Sequence, residues 1–163
     1  MKVPPKSARP AVNARTAAPD RPLWVCPKCG KWFVTRNNWH SCSIVPWRDH
    51  FQGKPKAREL FEHFRKAVES LGPVRLVSNR TRLAFMARVR FTGCEVRRDW
   101  LRCGLWLKRR VDCPRFVKVE RYTDRDFGYL FELRKPEDLD RTIMGYLREA
   151  YQVGRQQAVS ARR

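Results

Sequence analysis

The sequence predicts an α+β fold, with a small N-terminal hairpin followed by a helix, a five- or six-stranded, mainly antiparallel sheet and a C-terminal helix. Three observations lead to this prediction. Near the N-terminus, cysteine and histidine residues recur at the spacing of metal ligands. Two later stretches repeat apolar residues at the helical period, and the chain between them alternates at the period of a strand. Because the helices flank the strands, we expect both helices to pack on one face of the sheet.

The chain of 163 residues has room for one moderate domain and a small module. Residues 1–22 are rich in proline, alanine and arginine and have no apolar period, which predicts a disordered basic tail. Beyond it we predict a zinc-finger module over 23–44, a linker over 45–54, the α+β domain over 55–154 and a basic C-terminal tail over 155–163.

The stretch WVCPKCGKWFVTRNNWHSC carries the most specific chemical signal in the chain. Cys26 and Cys29 form a C-x-x-C pair followed by Gly30, and His40 and Cys42 follow as H-x-C. Two thiolates at this spacing bind one metal ion from a single tight turn, and a Cys3His set suits tetrahedral Zn²⁺. We therefore predict one Zn²⁺ ion held by these four side chains. It is structural, because no coordination position stays open for water or substrate.

Two alternatives to this interpretation remain open. His50 lies within reach of the same turn and competes with His40 for the fourth ligand position. A C-x-x-C pair also serves as a redox dithiol, although that use needs a βαβ context that so few residues do not supply. The remaining cysteines, Cys94, Cys103 and Cys113, are predicted to be core or near-surface thiols isolated from one another.

Helical periodicity appears at both ends of the predicted domain. Apolar residues recur at i, i+4, i+8 and i+11 in Pro55–Leu71, and Gly72 and Pro73 end this helix. The last helix is predicted to begin at Pro136, because proline is favoured at the first helical position, and to stop near Gly154.

Between the helices, the period at which apolar residues recur changes to two. The clearest alternation is Trp100–Lys108, which predicts a strand with one buried apolar face formed by Leu101, Cys103, Leu105 and Leu107. The other predicted strands are Val74–Val77, Leu83–Ala87 and Arg88–Phe91 (the last two as one bent strand), Glu95–Arg98 after a turn at Gly93, Arg115–Arg121 and Gly128–Arg134.

The charge of the chain is strongly positive, since 36 lysine and arginine residues outnumber 16 acidic ones and give a net charge of +20. Such a chain attracts polyanions, most simply nucleic acid, although a generally basic proteome would also produce this excess. No apolar run approaches the length of a membrane span, and residues 1–22 lack the apolar centre of a signal peptide. We therefore expect a cytoplasmic protein with no membrane partner.

A basic surface with aromatic residues is predicted on the sheet. Arg88 and Arg90 are expected to share one strand face, and Arg102 shares a face with Trp106. Guanidinium groups pair with phosphates, and aromatic rings stack on bases. In the alternative interpretation, Trp100 and Trp106 lie buried under the helices. The complete set of predicted nucleic-acid-binding residues is Arg88, Arg90, Arg97, Arg98, Arg102, Trp106, Lys108, Arg109 and Arg110.

The part from Leu60 to Tyr151 resembles a bacterial domain family of unknown function, number 5655. The resemblance rests on the blocks LFEHFRKAVESLGPV, TRLAFMARVRFTGC, DWLRCGLWL, PRFVKV and PEDLDRTIMGYLREAY. Some members carry a C-P-x-C-G finger with a downstream H-S-C ahead of the domain, which implies the same zinc ligands here. The family has no agreed activity. Its occurrence in restriction-type and other DNA-associated proteins favours nucleic acid only by association.

The sequence thus predicts a non-enzymatic, zinc-stabilised protein that contacts nucleic acid through a basic surface. A protein-interaction or small-ligand accessory domain with incidental charge is the first alternative. A metal-dependent nuclease is the second, built on acids and a lysine from adjoining strands. Its candidate residues are Glu120, Glu132, Lys135 and Asp112. The chain has no nucleophile elbow, phosphate-binding glycine loop or H-E-x-x-H motif.

Overall fold

The computed structural model describes residues 22–157. The predicted disordered tail, 1–22, and the predicted basic C-terminal tail, 155–163, lie outside this range apart from the residues at its two ends. The described strands and α-helices are β1 (Trp24–Val25), β2 (Trp32–Phe33), α1 (Pro55–Glu69), β3 (Arg75–Ser78), β4 (Leu83–Met86), β5 (Arg90–Val96), β6 (Leu101–Leu107), β7 (Lys118–Thr123), β8 (Asp126–Leu133) and α2 (Arg141–Gly154).

Two separate sheets are present in this part of the chain. Strands β1 and β2 form a two-stranded hairpin, and the other six strands form one sheet in the order β3-β4-β5-β6-β8-β7. All neighbouring strands run antiparallel. The predicted α+β fold is therefore confirmed, with six strands in the large sheet. Within 22–157, neither helix has the length and apolar character needed to cross a bilayer.

Both α-helices pack on the same face of the large sheet and form the core with it. The phenyl ring of Phe64 on α1 lies 5.7 Å from that of Phe85 on β4 and 6.4 Å from that of Phe131 on β8. As predicted, the buried side of β6 consists of Leu101, Cys103, Leu105 and Leu107. The opposite face of the sheet carries none of the described helices, and we call it the open face.

Residues 45–54, predicted to form a linker, also contribute to the core. They contain a 3₁₀ helix at Trp47–Phe51. The ring of Phe51 is buried 5.0 Å from that of Phe61 on α1, and Trp47 lies 5.4 Å from the same ring. This segment therefore packs on the helix side of the domain.

The region from 83 to 98 differs from the prediction. The prediction of a single bent strand is wrong, because residues 87–89 form a turn and β4 and β5 are separate antiparallel partners. Gly93 lies inside β5 rather than at a turn. A Cβ atom at Gly93 would lie 2.5 Å from the backbone oxygen of Leu83, so the close approach of two strands explains this glycine.

A β-bulge at Phe91 decides which side chains of β5 face the core. Phe85 pairs with Thr92 and Met86 pairs with Arg90, so Phe91 is the extra residue. The bulge turns Phe91 towards α2, where its ring lies 5.4 Å from that of Tyr151, and leaves Arg90 on the open face. Arg88 lies in the turn before β5 and not in a strand, so the prediction that Arg88 and Arg90 share a strand face is wrong.

The C-terminal helix begins later than predicted. Pro136–Asp138 forms a 3₁₀ turn, and α2 begins at Arg141 after the N-cap residue Asp140. The Asp140 side chain accepts a hydrogen bond of 2.9 Å from the backbone N–H of Ile143. This side-chain cap satisfies a free N–H of the first turn and fixes the start of the helix.

Substitution of Gly154 by alanine is expected to destabilise the domain by about 1–3 kcal/mol, because the added Cβ would lie 2.8 Å from Phe91 atoms in a packed core. Gly145, on the exposed side of the same helix, is the matched control. No atom lies within 4 Å of its added Cβ, so Gly145→Ala should stabilise by about 0.5–1 kcal/mol. Urea unfolding of both variants measures the difference, and equal effects would contradict the packing of α2 on the bulge.

Candidate metal centre and cationic sheet face

The C-x-x-C turn is held by backbone hydrogen bonds at the end of β1. The N–H of Gly30 donates to the carbonyl oxygen of Cys26 at 2.8 Å, and the N–H of Cys26 donates to that of Lys31 at 2.8 Å. Gly30 adopts a φ of +69°, which glycine takes without steric strain. The turn thereby brings the sulfur atoms of Cys26 and Cys29 close to each other.

The chain after β2 returns to this turn and brings the second pair of residues with it. Asn37 has a φ of +57°, a left-handed conformation that asparagine tolerates in turns. The Lys31 ammonium group donates to the carbonyl oxygens of Ser41 at 2.9 Å and Ser43 at 3.0 Å. These bonds hold the segment around Cys42 against the first turn.

The four predicted ligands lie together, with all their ligand atoms within 4.8 Å of one another. The Sγ atoms of Cys26 and Cys42 are 3.9 Å apart, and His40 Nε2 lies 3.2 Å from Cys29 Sγ and 3.5 Å from Cys42 Sγ. A tetrahedral zinc site has edges of about 3.8 Å between sulfurs and about 3.6 Å between sulfur and nitrogen, from its usual bond lengths. The observed separations are close to these values, so the group can hold a metal ion.

The orientation of the His40 ring favours His40 over His50 as the fourth ligand. Its Nδ1 atom lies 2.7 Å from the carbonyl oxygen of Asn38. When Nδ1 carries the proton, its N–H group donates this hydrogen bond and Nε2 is free to bind a metal. This is the usual arrangement of a metal-binding histidine. His50 instead contacts Ser78, with its Nε2 atom 3.2 Å from the hydroxyl oxygen. Within residues 22–157, the cluster with His40 is the one group of three or more potential ligands.

The surroundings of the cluster favour a thiolate on Cys26. Desolvation opposes ionisation, but the backbone N–H groups of Cys29 and Lys28 donate to the sulfur, and the pKa of Cys26 falls to about 6. A thiolate is the form that binds metal. The rings of Phe33 and Trp24 lie 4.3 Å and 6.3 Å from that of His40 and cover one side of the cluster.

The metal-binding hairpin, residues 24–42, is attached to the edge of the large sheet. The Arg75 guanidinium on β3 lies 3.9 Å from the centre of the Trp32 ring, a cation–π contact. Lys31 also donates to the side-chain oxygen of Asn79, in the turn between β3 and β4, at 3.1 Å. The cluster is thus held beside the domain, not separated from it by a free linker.

The remaining cysteines are not all isolated from one another. Cys94 on β5 and Cys103 on β6 are direct cross-strand partners on the helix side. Both are buried, and burial raises the pKa of each thiol. The prediction of core thiols therefore holds for these two, whereas their predicted isolation is wrong because the strand register places them opposite each other. Cys113 is half-buried.

Small residues form a row across the middle of the open face. Ala84, Gly93 and Gly104 are neighbours in register on β4, β5 and β6, and Leu130 and Lys118 continue the row on β8 and β7. Because the first three residues have little or no side chain, they form the bottom of a cavity of about 240 Å³. We call this cavity the open-face pocket.

Charged and aromatic side chains surround the open-face pocket. Its aromatic wall is Trp106 and Tyr122, and the Arg90 guanidinium lies 4.3 Å from the centre of the Trp106 ring. Its charged lining residues are Arg82, Arg90, Arg102, Lys118, Glu95 and Glu120. Trp106 is therefore not buried under the helices, so the alternative interpretation is wrong for this residue.

The ion pairs of the pocket leave two arginines without an acidic partner. Arg82 pairs with Glu95 at 3.7 Å, and Lys118 pairs with Glu120 at 2.5 Å. Among the described residues, no carboxylate lies within ion-pair distance of Arg90 or Arg102. These two guanidinium groups thus keep their capacity to bind an external anion.

The nine predicted nucleic-acid-binding residues do not lie on one surface. Arg90, Arg102 and Trp106 line the open-face pocket, whereas Arg109 forms two hydrogen bonds of 2.8 Å with Glu149 on α2. Arg97 donates to Glu95 at 3.0 Å, Lys108 pairs with Asp126, and Arg88 donates to Gln156 at 3.3 Å. Arg98 and Arg110 are exposed in turns.

Sequence reasoning did not identify Arg82, Lys118 or Tyr122 as binding residues. They come from the ends of β4 and β7, and only the strand register brings them to the pocket. The glycines in the centres of β5 and β6 were the available signal, because glycine inside a strand often marks a site where a ligand approaches the backbone.

The acids of the nuclease alternative do not form a cluster in the described part of the chain. Glu120 accepts hydrogen bonds from Lys118 at 2.5 Å and from the Tyr122 hydroxyl at 2.7 Å. Glu132 accepts from Arg134 at 2.8 Å, and Asp112 is exposed in the loop after β6. The predicted lysine, Lys135, precedes the 3₁₀ turn before α2. Each glutamate is thus already neutralised by a nearby cation.

Comparison with known proteins gives one family match. The family model described as "Domain of unknown function (DUF5655)" matches residues 48–154. This match includes the 3₁₀ helix at Trp47–Phe51, apart from its first residue, and the whole α+β domain, and it excludes the metal-binding hairpin. No curated protein and no solved structure matches the chain.

Proposed function

The chain belongs to the DUF5655 family, and because that family has no assigned activity, we propose from the geometry that this protein is a zinc-stabilised module that binds nucleic acid through its open face. The observation that carries the proposal is the pair Arg90 and Arg102, which have no acidic partner among the described residues and line one pocket with Trp106 on a sheet face that no described helix covers. Guanidinium groups bind phosphates, and exposed aromatic rings stack on unpaired bases.

The overall charge supports the same proposal. A net charge of +20 attracts polyanions over long distances and raises the rate of encounter at low salt. Among the predicted binding residues, Arg109 and Lys108 are paired with Glu149 and Asp126. Arg90 and Arg102 have no such pair among the described residues, which favours the open-face pocket as the place where a bound strand contacts the protein.

We further propose that the metal is Zn²⁺ and that its role is structural. Three sulfurs and one imidazole nitrogen are the ligand set that zinc prefers, and their separations are close to the edges of a zinc tetrahedron. With four protein ligands, no position remains for a substrate or an activated water. Metal binding would instead fold the hairpin, because the binding free energy becomes folding free energy in such modules.

A protein-interaction role is the second candidate, and one observation favours it. Trp39 and Ile44, at the end of the metal-binding hairpin, are 91% and 73% exposed. Large apolar side chains with this exposure are typical of contact sites for other proteins when they occur close together. In that case the affinity of the protein for its partner would depend on Trp39 and would change little with salt.

Binding to a single-stranded oligonucleotide is expected to weaken steeply with salt, because each neutralised phosphate releases counterions. The logarithm of affinity should fall against the logarithm of salt concentration with a slope of about −0.7 per phosphate contacted. Arg102→Ala should lower the affinity and reduce the slope by about 0.7. Fluorescence anisotropy over a series of salt concentrations measures both quantities.

Arg58→Ala is the matched control for this experiment. Arg58 is exposed on α1, on the other side of the sheet, and its loss changes the net charge by the same amount. We expect it to leave the slope nearly unchanged. Equal effects of the two substitutions would show that binding depends on total charge and not on the open face, and no binding at low salt would overturn the proposed function.

A further inference from the structure

The open-face pocket has a floor made of backbone and walls made of long side chains. Gly93 and Gly104 are direct partners on β5 and β6, and no side chain at either position occupies the space above them. The cavity of about 240 Å³ is slightly smaller than the range of about 300–1,000 Å³ that holds whole drug-sized ligands. Its size therefore suits one compact chemical group with part of the molecule that carries it.

The charge of the lining indicates what that group is. Arg82, Arg90, Arg102 and Lys118 face the cavity together with two acids, Glu95 and Glu120, which leaves an excess of two positive charges. Burial, and then the positive charge of Arg82, lower the pKa of Arg90. An anion between the cations would reduce the repulsion between them.

We propose that the open-face pocket binds a phosphomonoester, either the terminal phosphate of a nucleic-acid strand or that of a mononucleotide. A phosphomonoester carries between about −1.5 and −2 charges at neutral pH, which matches the excess in the lining. An internal phosphodiester carries one charge, which leaves one positive charge of the lining without a counterpart. This inference rests on the proposed function, because the pocket lies in the centre of the open face.

The side chains of the pocket have complementary roles towards such a ligand. The guanidinium groups offer paired N–H donors whose planar geometry matches two oxygens of a phosphate. Glu95 and Glu120 supply acceptors for the hydroxyl or amino groups of the attached sugar and base. The ring of Trp106 is already covered on one side by Arg90, which places this cation at the aromatic end of the cavity.

The test compares one short single-stranded oligonucleotide with a 5′-phosphate, a 3′-phosphate or hydroxyl groups at both ends, together with a mononucleotide. The wild type is expected to bind at least one phosphorylated form about tenfold more tightly than the hydroxyl form, since hydrogen bonds to a charged group contribute about 1.5–3 kcal/mol. The mononucleotide should compete with that form and should bind on its own if free nucleotides are the ligand.

Two variants locate the preference in the pocket. Gly104→Val places a side chain over the floor without changing charge, and its closest contact is the flexible end of Leu130, 3.1 Å from the added Cβ. Arg90→Lys keeps the charge but removes the planar fork. In both variants the phosphorylated and hydroxyl strands should bind with about equal affinity, because each substitution removes the preference for phosphate whatever it does to strand binding as a whole. Arg90→Lys keeps the test decisive if Gly104→Val does not fold.

The outcomes separate this inference from the proposed function. Equal binding of phosphorylated and hydroxyl strands by the wild type would overturn the pocket assignment and leave the proposed function standing. A preference that survives in both variants would overturn it as well. Absence of strand binding, with mononucleotide binding that Arg90→Lys abolishes, would overturn the proposed function and keep the phosphomonoester pocket. Absence of all binding would overturn both.

Discussion

Removal of the metal is expected to unfold the metal-binding hairpin, residues 24–42, while the sheet and both α-helices stay folded. The hairpin has two strands of two residues each, and Cys26 is its one buried apolar residue. Structural zinc contributes on the order of 10–16 kcal/mol in such modules, and nothing else in the hairpin replaces it. The domain from α1 onward has its own core, so we expect it to stay folded without the metal.

Amide NMR spectra recorded before and after addition of a chelator measure this difference residue by residue. Signals of residues 24–42 should collapse towards random-coil positions, whereas those of β6, α1 and α2 should persist. The Arg75–Trp32 contact should be lost with the hairpin. Simultaneous loss of all signals would show that the metal supports the whole fold, contrary to this expectation.

Ligand substitutions identify which side chains hold the zinc. Cys29→Ser and His40→Ala should each lose most of the bound zinc, because each removes one of four ligands. His50→Ala is the matched control and should keep full zinc content, since its ring contacts Ser78 and not the cluster. Zinc stoichiometry after dialysis measures all three, and loss of zinc in the His50 variant alone would reverse the assignment of the fourth ligand.

Leu105→Ala is expected to destabilise the domain by about 2–5 kcal/mol. Leu105 is 0% exposed and lies in β6, a central strand with neighbours on both sides. Its truncation removes apolar contacts and leaves a cavity that rigid strands cannot fill. Urea unfolding, followed by the ellipticity of the sheet and helices, measures the loss in the free energy of unfolding.

Val117→Ala is the control for this substitution. Val117 is 60% exposed, so its truncation should change stability by no more than about 0.5 kcal/mol. A near-neutral effect of Leu105→Ala would show that β6 does not bury the side that carries Leu105. A large effect of both substitutions would show that the surface around β7 is covered by a partner under the conditions used.

The metal cluster and β6 were predictable from the sequence because both depend on local patterns. Cys26 and Cys29 meet in one turn, and His40 and Cys42 follow within the same short hairpin. The facing of β6 follows from strict alternation, since successive side chains of a strand point to opposite faces. In these two places the chain needs little information from distant residues.

The open-face pocket was not predictable, because its residues come from β4, β5, β6, β7 and β8. Arg90 and Arg109 look alike in the sequence, but Glu149, forty residues along the chain, neutralises Arg109, and no acid within residues 22–157 pairs with Arg90. The alternation of apolar and polar residues does not reveal the bulge at Phe91 either. One extra residue reverses the facing of Arg90, and only the pairing of Met86 with Arg90 reveals it.

The contact between the end of α2 and the β4–β5 turn has a consequence for the order of folding during synthesis. The carbonyl oxygen of Gly154 accepts the backbone N–H groups of both Arg88 and Val89 at 2.9 Å. The strands β3 to β6 can pair as they leave the ribosome, since each is adjacent to the next in the sheet. The part of their apolar face that α2 covers nevertheless stays exposed until residue 154 has emerged, and at about 5–20 residues per second that interval lasts several seconds. A nascent chain stalled between β8 and α2 should therefore bind chaperones that recognise exposed apolar sheets.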